Sequence, residues 1–158
     1  VGRETDTGTG DPVLVVERRL PLLTVREQRR ADAEAIGELT GEDPWVFEQG
    51  ARPGWFVAAD GDRVVGAMAC RDAGGGLARI DEPRLRDGYS GRLLDVWMIE
   101  RAAMYAEMNG YHTSEIAASE RLRPVRKALE DRYWVLDGER MVRAFRTPPS
   151  QFEDEDWD

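Results

Sequence analysis

The sequence predicts a mixed α/β domain, with a central, mostly antiparallel mixed sheet of about six to seven strands flanked by about four helices. Three observations predict it. Short β-branched and aromatic runs alternate with isolated helical patterns. Asp60-Gly61 and Asp137-Gly138 each sit between apolar runs and mark hairpins, because this dipeptide accepts the left-handed geometry of a tight turn. One long helical pattern, from Ser90 to about Asn109, interrupts the strands and is stopped by Gly110.

In chain order, residues 1–11 carry Gly, Thr and charge without an apolar pattern and read as a flexible tail. Val13–Val16 and Leu22–Arg26 read as strands. Ala31–Leu39 reads as a helix, with Asp32 placed to cap it and Ile36 and Leu39 on one face. Asp43-Pro44 pairs a capping residue with a proline suited to a first helical turn, so a short helix is expected through Gln49. After a turn over Gly50–Gly54 come strands Trp55–Ala59 and Arg63–Cys70, the Gly74–Gly76 turn and a short strand Leu77–Asp81. The long helix places Leu93, Leu94, Trp97, Met98, Met104, Tyr105 and Met108 on one broad face, with Arg101 in its middle, snorkelling or paired with an acid. His112–Ala117 reads as a strand, Arg121–Asp131 as a helix, and Tyr133–Leu136 with Arg140–Arg146 as a closing hairpin. Residues 147–158 form an acidic tail, which leaves 12–146 as the domain.

Composition excludes several functions. The chain of 158 residues fits one domain of roughly 130 residues plus tails. A single cysteine, Cys70, excludes an internal disulfide and reads as a core residue. A single histidine, His112, excludes a His-rich zinc site, and no metal is expected. Apolar runs fall short of a membrane span and no signal peptide opens the chain, so a cytoplasmic protein without membrane contact is expected. The net charge of -9 argues against nucleic-acid binding and favours a cationic partner. Lys127 is the only lysine, which fits a high-GC genome first, with a salt-adapted host as the alternative because the chain is also acid-rich.

The stretch that carries chemistry is Ile80–Leu94, IDEPRLRDGYSGRLL. A strand ends, a loop with Gly88 and Gly91 follows, and the long helix begins. The first turn of a helix offers unpaired N–H groups and a partial positive charge, and small loop residues let a phosphate approach them. Arg86 and Arg92 bracket the loop and add charge-assisted contacts, so a phosphate or pyrophosphate is the expected ligand.

From about Leu23 to Phe145 the sequence resembles the GNAT superfamily of acyl-CoA-dependent N-acyltransferases. TVREQRRADAEAIGEL resembles its first strand and helix, WFVAADGDRVVGAMA its second and third strands, and EPRLRDGYSGRLL its acyl-CoA loop. NGYHTSEIAAS resembles the fifth strand, and RPVRKALEDRYWVLDGERM the last helix and strand. The loop pattern is Arg or Gln, two residues, Gly, one residue, then Gly or Ala. Arg86 takes its first place, Tyr89 the first Gly and Gly91 the second. The resemblance implies the acyl-CoA N-acyltransferase fold, splayed fourth and fifth strands holding pantetheine, and acetyl-CoA or another acyl-CoA as cosubstrate. It assigns cofactor contacts to Ile80, Arg86, Asp87, Gly88, Tyr89, Ser90, Gly91 and Arg92.

It also implies direct attack by a primary amine of a small molecule or peptide in a ternary complex, and leaves a homodimer open. Glu82 and Glu115 are the candidate bases near the splay, each needing a raised pKa or a water chain. Two departures stand out. Tyr89 replaces the first loop glycine. Leu129 occupies the last-helix position where the family often has a proton-donating tyrosine, with Tyr133 as a substitute acid four residues on, where glycine is usual. Trp45, Phe47 and Trp55 lie in segments that would line the acceptor side. These departures favour a module that keeps the fold and binds acyl-CoA or a protein partner with little or no turnover. The loop frame and strand order favour an enzyme. A purely structural protein on this scaffold predicts no CoA binding at all.

Overall fold

A computed structural model describes residues 23–45, 54–90 and 93–145. Its strands are β1 (Leu23–Glu27), β2 (Gly54–Asp60), β3 (Arg63–Gly74), β4 (Leu77–Ile80), β5 (Arg84–Leu85), β6 (Thr113–Ala117), β7 (Val135–Asp137) and β8 (Arg140–Ala144). Its helices are α1 (Ala33–Thr40), α2 (Leu94–Met108) and α3 (Arg126–Glu130). Short 3-10 turns lead into α1 at Arg30–Asp32 and into α3 at Glu120–Val125. The strands form one sheet in the order β1-β2-β3-β4-β6-β8-β7, with β5 added to β3. Every pairing is antiparallel except β4 with β6, which is parallel. The expected mixed, mostly antiparallel sheet is present, with one short strand more than expected. The expected strand at Val13–Val16, both tails and the expected helix beyond Trp45 lie outside the described residues.

Both Asp-Gly hairpins form, one residue later than the dipeptides suggest. The two-residue turns are Gly61-Asp62 and Gly138-Glu139, because Asp60 pairs with Arg63 and Asp137 with Arg140. Gly61 and Gly138 take φ of 62° and 64°, a conformation that other residues adopt only at a steric cost. Asp32 is buried, and its carboxylate reaches backward rather than capping α1. It accepts the Arg29 N–H at 2.7 Å and a two-pronged contact from Arg26 at 2.7 and 3.2 Å. Those bonds outweigh the opposing effect of burial and hold its pKa below the usual value.

α2 departs from its expected start and face. It begins at Leu94 rather than Ser90, after Leu93 in the left-handed conformation at φ 63°. Its buried residues are Leu94, Asp95, Val96, Met98, Ile99, Ala102, Ala103 and Ala106. Of the expected face, Leu94 and Met98 are buried and Tyr105 packs partly against the core, whereas Leu93, Trp97, Met104 and Met108 are exposed. The first half of the helix packs through Leu94, Val96, Met98 and Ile99, and the second half through the small Ala102, Ala103 and Ala106, which leaves Met104 and Met108 outside. Arg101 is paired as expected, 3.6 Å from Glu27 and stacked over Phe56.

The main core lies between α2 and the sheet, around Phe56, Met68, Ile80, Met98, Ile99 and Ile116. A smaller cluster on the opposite sheet face packs Ile36 of α1 against Trp55, Val57, Val64, Ala67 and Ala69. Gly66 of β3 is the point of closest packing near β5. A Cβ there would lie 2.5 Å from Leu85 Cδ2, 3.2 Å from Met98 Sδ and 3.3 Å from Ala58 Cβ. Gly66→Ala is therefore expected to destabilise the protein by about 1–3 kcal/mol through overpacking, read as a lower urea midpoint at unchanged m-value.

Candidate functional site

The site begins where two parallel strands stop being neighbours. β4 and β6 pair from Leu77↔Thr113 to Ile80↔Ile116 and no further. Beyond Ile80 the chain stays with β3. Asp81 N–H bonds Ala69 O at 2.8 Å, β5 pairs with Gly66 and Ala67, and Arg86 N–H bonds Val65 O at 2.8 Å. Beyond Ala117 the chain goes the other way, with Ala118 N–H on Glu139 O at 2.9 Å. Arg126 holds that second branch, donating to Ala118 O at 2.8 Å and Ser119 O at 3.3 Å. Pro83, at the division, has no N–H to offer either side.

Between the branches opens a crevice of about 410 Å³. One wall is Pro83, Arg84 and Leu85, with Leu39 from α1; the other is Arg121, Pro124 and Val125. Ser90 and Asp95, on either side of the α2 N-terminus, complete it. The volume falls in the range of small-molecule clefts. Two guanidinium groups face it. Arg84 is exposed and in no ion pair among the described residues, and Arg121 lies 3.8 Å from Glu82, so this pair spans the two branches. Sequence reasoning missed both arginines. Arg84 was legible as a strand residue alternating with Leu85, and Arg121 as the first cation after β6.

The predicted phosphate loop is only partly at the crevice. Arg86 is held away, its Nε on Val64 O at 2.9 Å and its Nη2 on Glu38 at 3.1 Å. It therefore ties β3 to α1. Arg86 to Tyr89 forms a turn, with Tyr89 N–H on Arg86 O at 3.2 Å and Gly88 at φ 90°. Asp87 and Gly88 are exposed. Tyr89 keeps a negative φ and turns its ring onto the main core, its hydroxyl bonding Asp60 at 2.7 Å. Replacement of a loop glycine is thus accommodated without placing the ring among the crevice residues. Ile80 is buried in the core, and Ser90 lines the crevice. Gly91 and Arg92 lie outside the described residues, as does Phe47 on the expected acceptor side.

The three predicted catalytic residues part company. Glu82 stands at the division of the strands, partly buried. Glu115 is buried and paired to Arg79 at 2.8 Å and Arg140 at 2.7 Å. Burial alone would raise its pKa, but the Arg79 and Arg140 hydrogen bonds and charges outweigh that and hold it below the usual range. This is the opposite of the raised pKa expected of a base at this position. Tyr133 sits at φ 73°, in the conformation glycine prefers, and is exposed and outside the crevice lining. Leu129 is fully buried in the main core and does not face the crevice. Trp55 packs in the smaller core, while Trp45 is partly exposed. Among the described residues no helix is long and apolar enough to cross a membrane, and no cluster of His, Cys, Asp and Glu suits a metal.

No family model matches the sequence, and no curated protein does. Solved structures do match. A GCN5-related N-acetyltransferase from Kribbella flavida is similar at 18% identity and TM-score 0.63, over 79% of this chain and 99% of that one. A GNAT family acetyltransferase from Brucella melitensis, solved with acetyl-CoA, is similar at 15% identity and TM-score 0.59, over 80% of this chain and 90% of that one. A PaiA N-acetyltransferase from Thermoplasma acidophilum, solved with coenzyme A, is similar at 10% identity and TM-score 0.58, over 78% of this chain and 99% of that one. The chain has the GNAT fold, which agrees with the resemblance in its sequence.

The electrostatics of Glu115 give a pH signature. Its folded pKa lies below the ordinary 4.5, so its stabilisation is complete above that pH and is lost as pH falls through the folded value. Glu115→Gln is expected to cost about 1–3 kcal/mol at pH 7, as for hydrogen bonds to a charged group. The gap between variant and parent should narrow in urea titrations taken progressively below pH 4.5.

Proposed function

We propose that the chain is an acyl-CoA-dependent N-acyltransferase, using acetyl-CoA as the cosubstrate and a cationic primary amine as the acceptor. The observation that carries this reading is the division of β4–β5 from β6, with a crevice running from the gap to the N-terminus of α2. Acetyl-CoA and coenzyme A in two of the similar structures support the same ligand here. The α2 N-terminus and Arg84 suit a pyrophosphate, by dipole, amide and guanidinium contacts. The separated strand edges suit an extended pantetheine arm.

In this reading the amine nitrogen attacks the thioester carbonyl carbon. A C–N bond forms, the C–S bond breaks, and the sulfur leaves as thiolate. The chain must hold the reactants in line, remove a proton from the ammonium and supply one to the thiolate. Glu82 is the base, directly or through water, because it stands at the division of the strands, whereas Glu115 is neutralised by two arginines. No tyrosine lines the crevice among the described residues, so water is the proton source for the thiolate.

That last feature also favours a second reading, a module that binds acyl-CoA with little turnover, because a missing general acid typically costs about 10²–10⁴-fold in rate. Acyl-CoA consumption with a panel of primary amines separates the two readings. Coenzyme A at 100 times its Kd is expected to stabilise the protein by about 2.7 kcal/mol, read as a thermal shift. Ser90→Glu, which puts negative charge beside the α2 N-terminus, should abolish that shift and leave the ligand-free Tm near the parent's. Unchanged affinity in this variant contradicts the site. Glu82→Gln should lower kcat by about 10²-fold with little change in acyl-CoA affinity.

A further inference from the structure

The far end of α2 carries a second cavity, of about 380 Å³, separate from the crevice. The helix has 15 residues, so the two ends are about 22 Å apart. The cavity lies between the C-terminal turn of α2, the β3–β4 turn and the start of β2. Half of its wall is glycine backbone, from Gly54, Gly74, Gly75, Gly76 and Gly110. A Cβ at Gly74, Gly75 or Gly110 would meet no atom within 4 Å, so these residues face open space. Gly54 is bare for another reason: a Cβ there would lie 2.9 Å from the Tyr105 ring. The Tyr105 ring stands edge-on to Phe56 at 5.2 Å, which fixes its orientation.

The polar groups of this cavity have one sign. Asp72 accepts the Gly74 N–H at 2.7 Å, and its charge acts on the Tyr111 phenol beside it. Burial first, then the Asp72 charge, raises the Tyr111 pKa, so the phenol stays a neutral donor. Cys70 is a neutral wall, its thiol pushed up to about 12 by burial and by Asp81. The negative end of the α2 dipole points here. Among the described residues no lysine or arginine lines the cavity. The neighbouring Arg71 projects to the other sheet face, onto Trp55, Asp81 and Glu42. A carboxylate, two phenol rings and a helix C-terminus, with no lysine or arginine among the described lining residues, form a site for a positive charge on an apolar body.

We propose that this cavity binds a small organic primary ammonium at a site distinct from the crevice. The ammonium bonds to the Asp72 carboxylate, and its apolar part lies against Tyr105 and Tyr111. The inference is independent of what the crevice binds.

The test is a ¹⁵N–¹H NMR titration of the full chain with phenethylammonium chloride, using 2-phenylethanol as the neutral isostere. The Gly74, Gly75, Gly76 and Gly110 amides should move along one saturating curve. The ammonium should bind about two- to fivefold more tightly than the alcohol, the ratio expected for an ion pair with an exposed carboxylate. Asp72→Asn retains an acceptor for the Gly74 N–H and should reduce the ammonium's affinity to that of the alcohol. Tyr111→Phe keeps both the Asp72 carboxylate and the aromatic ring and should therefore keep the preference for the ammonium. Unmoved glycine amides, an equal response to the alcohol, an Asp72→Asn affinity equal to the parent's, or shifts confined to Ser90 and Leu94 overturn the proposal.

Discussion

Two adjacent parallel strands with incompatible commitments shape everything else in this molecule. β4 and β6 share four residue pairs, after which one branch is bonded to β3 and the other to the β7–β8 turn. Within the shared pairs each strand bonds on both edges, β4 to β3 and β6, and β6 to β4 and β8. Past Ile80 and Ile116 only the outer bonds continue, so each branch follows its outer neighbour and the inner edges part. The gap thus follows from where the inter-strand pairing stops.

The flanking helices complete this frame. α2 closes one face of the sheet through alanines at Ala102, Ala103 and Ala106 and brings its N-terminus to the crevice. Gly66 lets Leu85 and Met98 meet on the floor of the same region, so packing at the core and shape at the crevice are coupled. On the opposite face, Arg86 joins β3 to Glu38 of α1, and Arg71 joins β3 to Glu42 and Asp81. The charged residues of this acid-rich chain are therefore used in two ways. Most arginines brace strands and helices, and Arg84 alone faces the crevice without an acid partner among the described residues.

Much of the fold was legible in local chemistry. The two Asp-Gly turns, the Gly74–Gly76 turn and the Gly110 stop are backbone signals that packing does not override. The face of α2 was legible only in part, and its start was not. Counting large apolar side chains places Leu94 and Met98 correctly but also points to Leu93, Trp97, Met104 and Met108, which are exposed because the second half of the helix packs through alanines. Its start is set by the left-handed turn at Leu93, which no residue type announces. The candidate site divides similarly. The strand–loop–helix order located the region and Ser90. The roles of Arg86, Tyr89 and Glu115 depend on partners 22 to 48 residues away, which spacing along the chain does not reveal. Arg84 and Arg121 went unnoticed for the same reason, since only the division of the strands makes them face one gap.

The claim that the divided strands hold acyl-CoA is tested most directly by hydrogen exchange with and without coenzyme A. The account predicts slowed exchange in peptides covering residues 82–97 and 117–125, the two branches and the α2 N-terminus, with the outer strands unchanged. Binding with protection elsewhere, or no protection at millimolar coenzyme A, would contradict it.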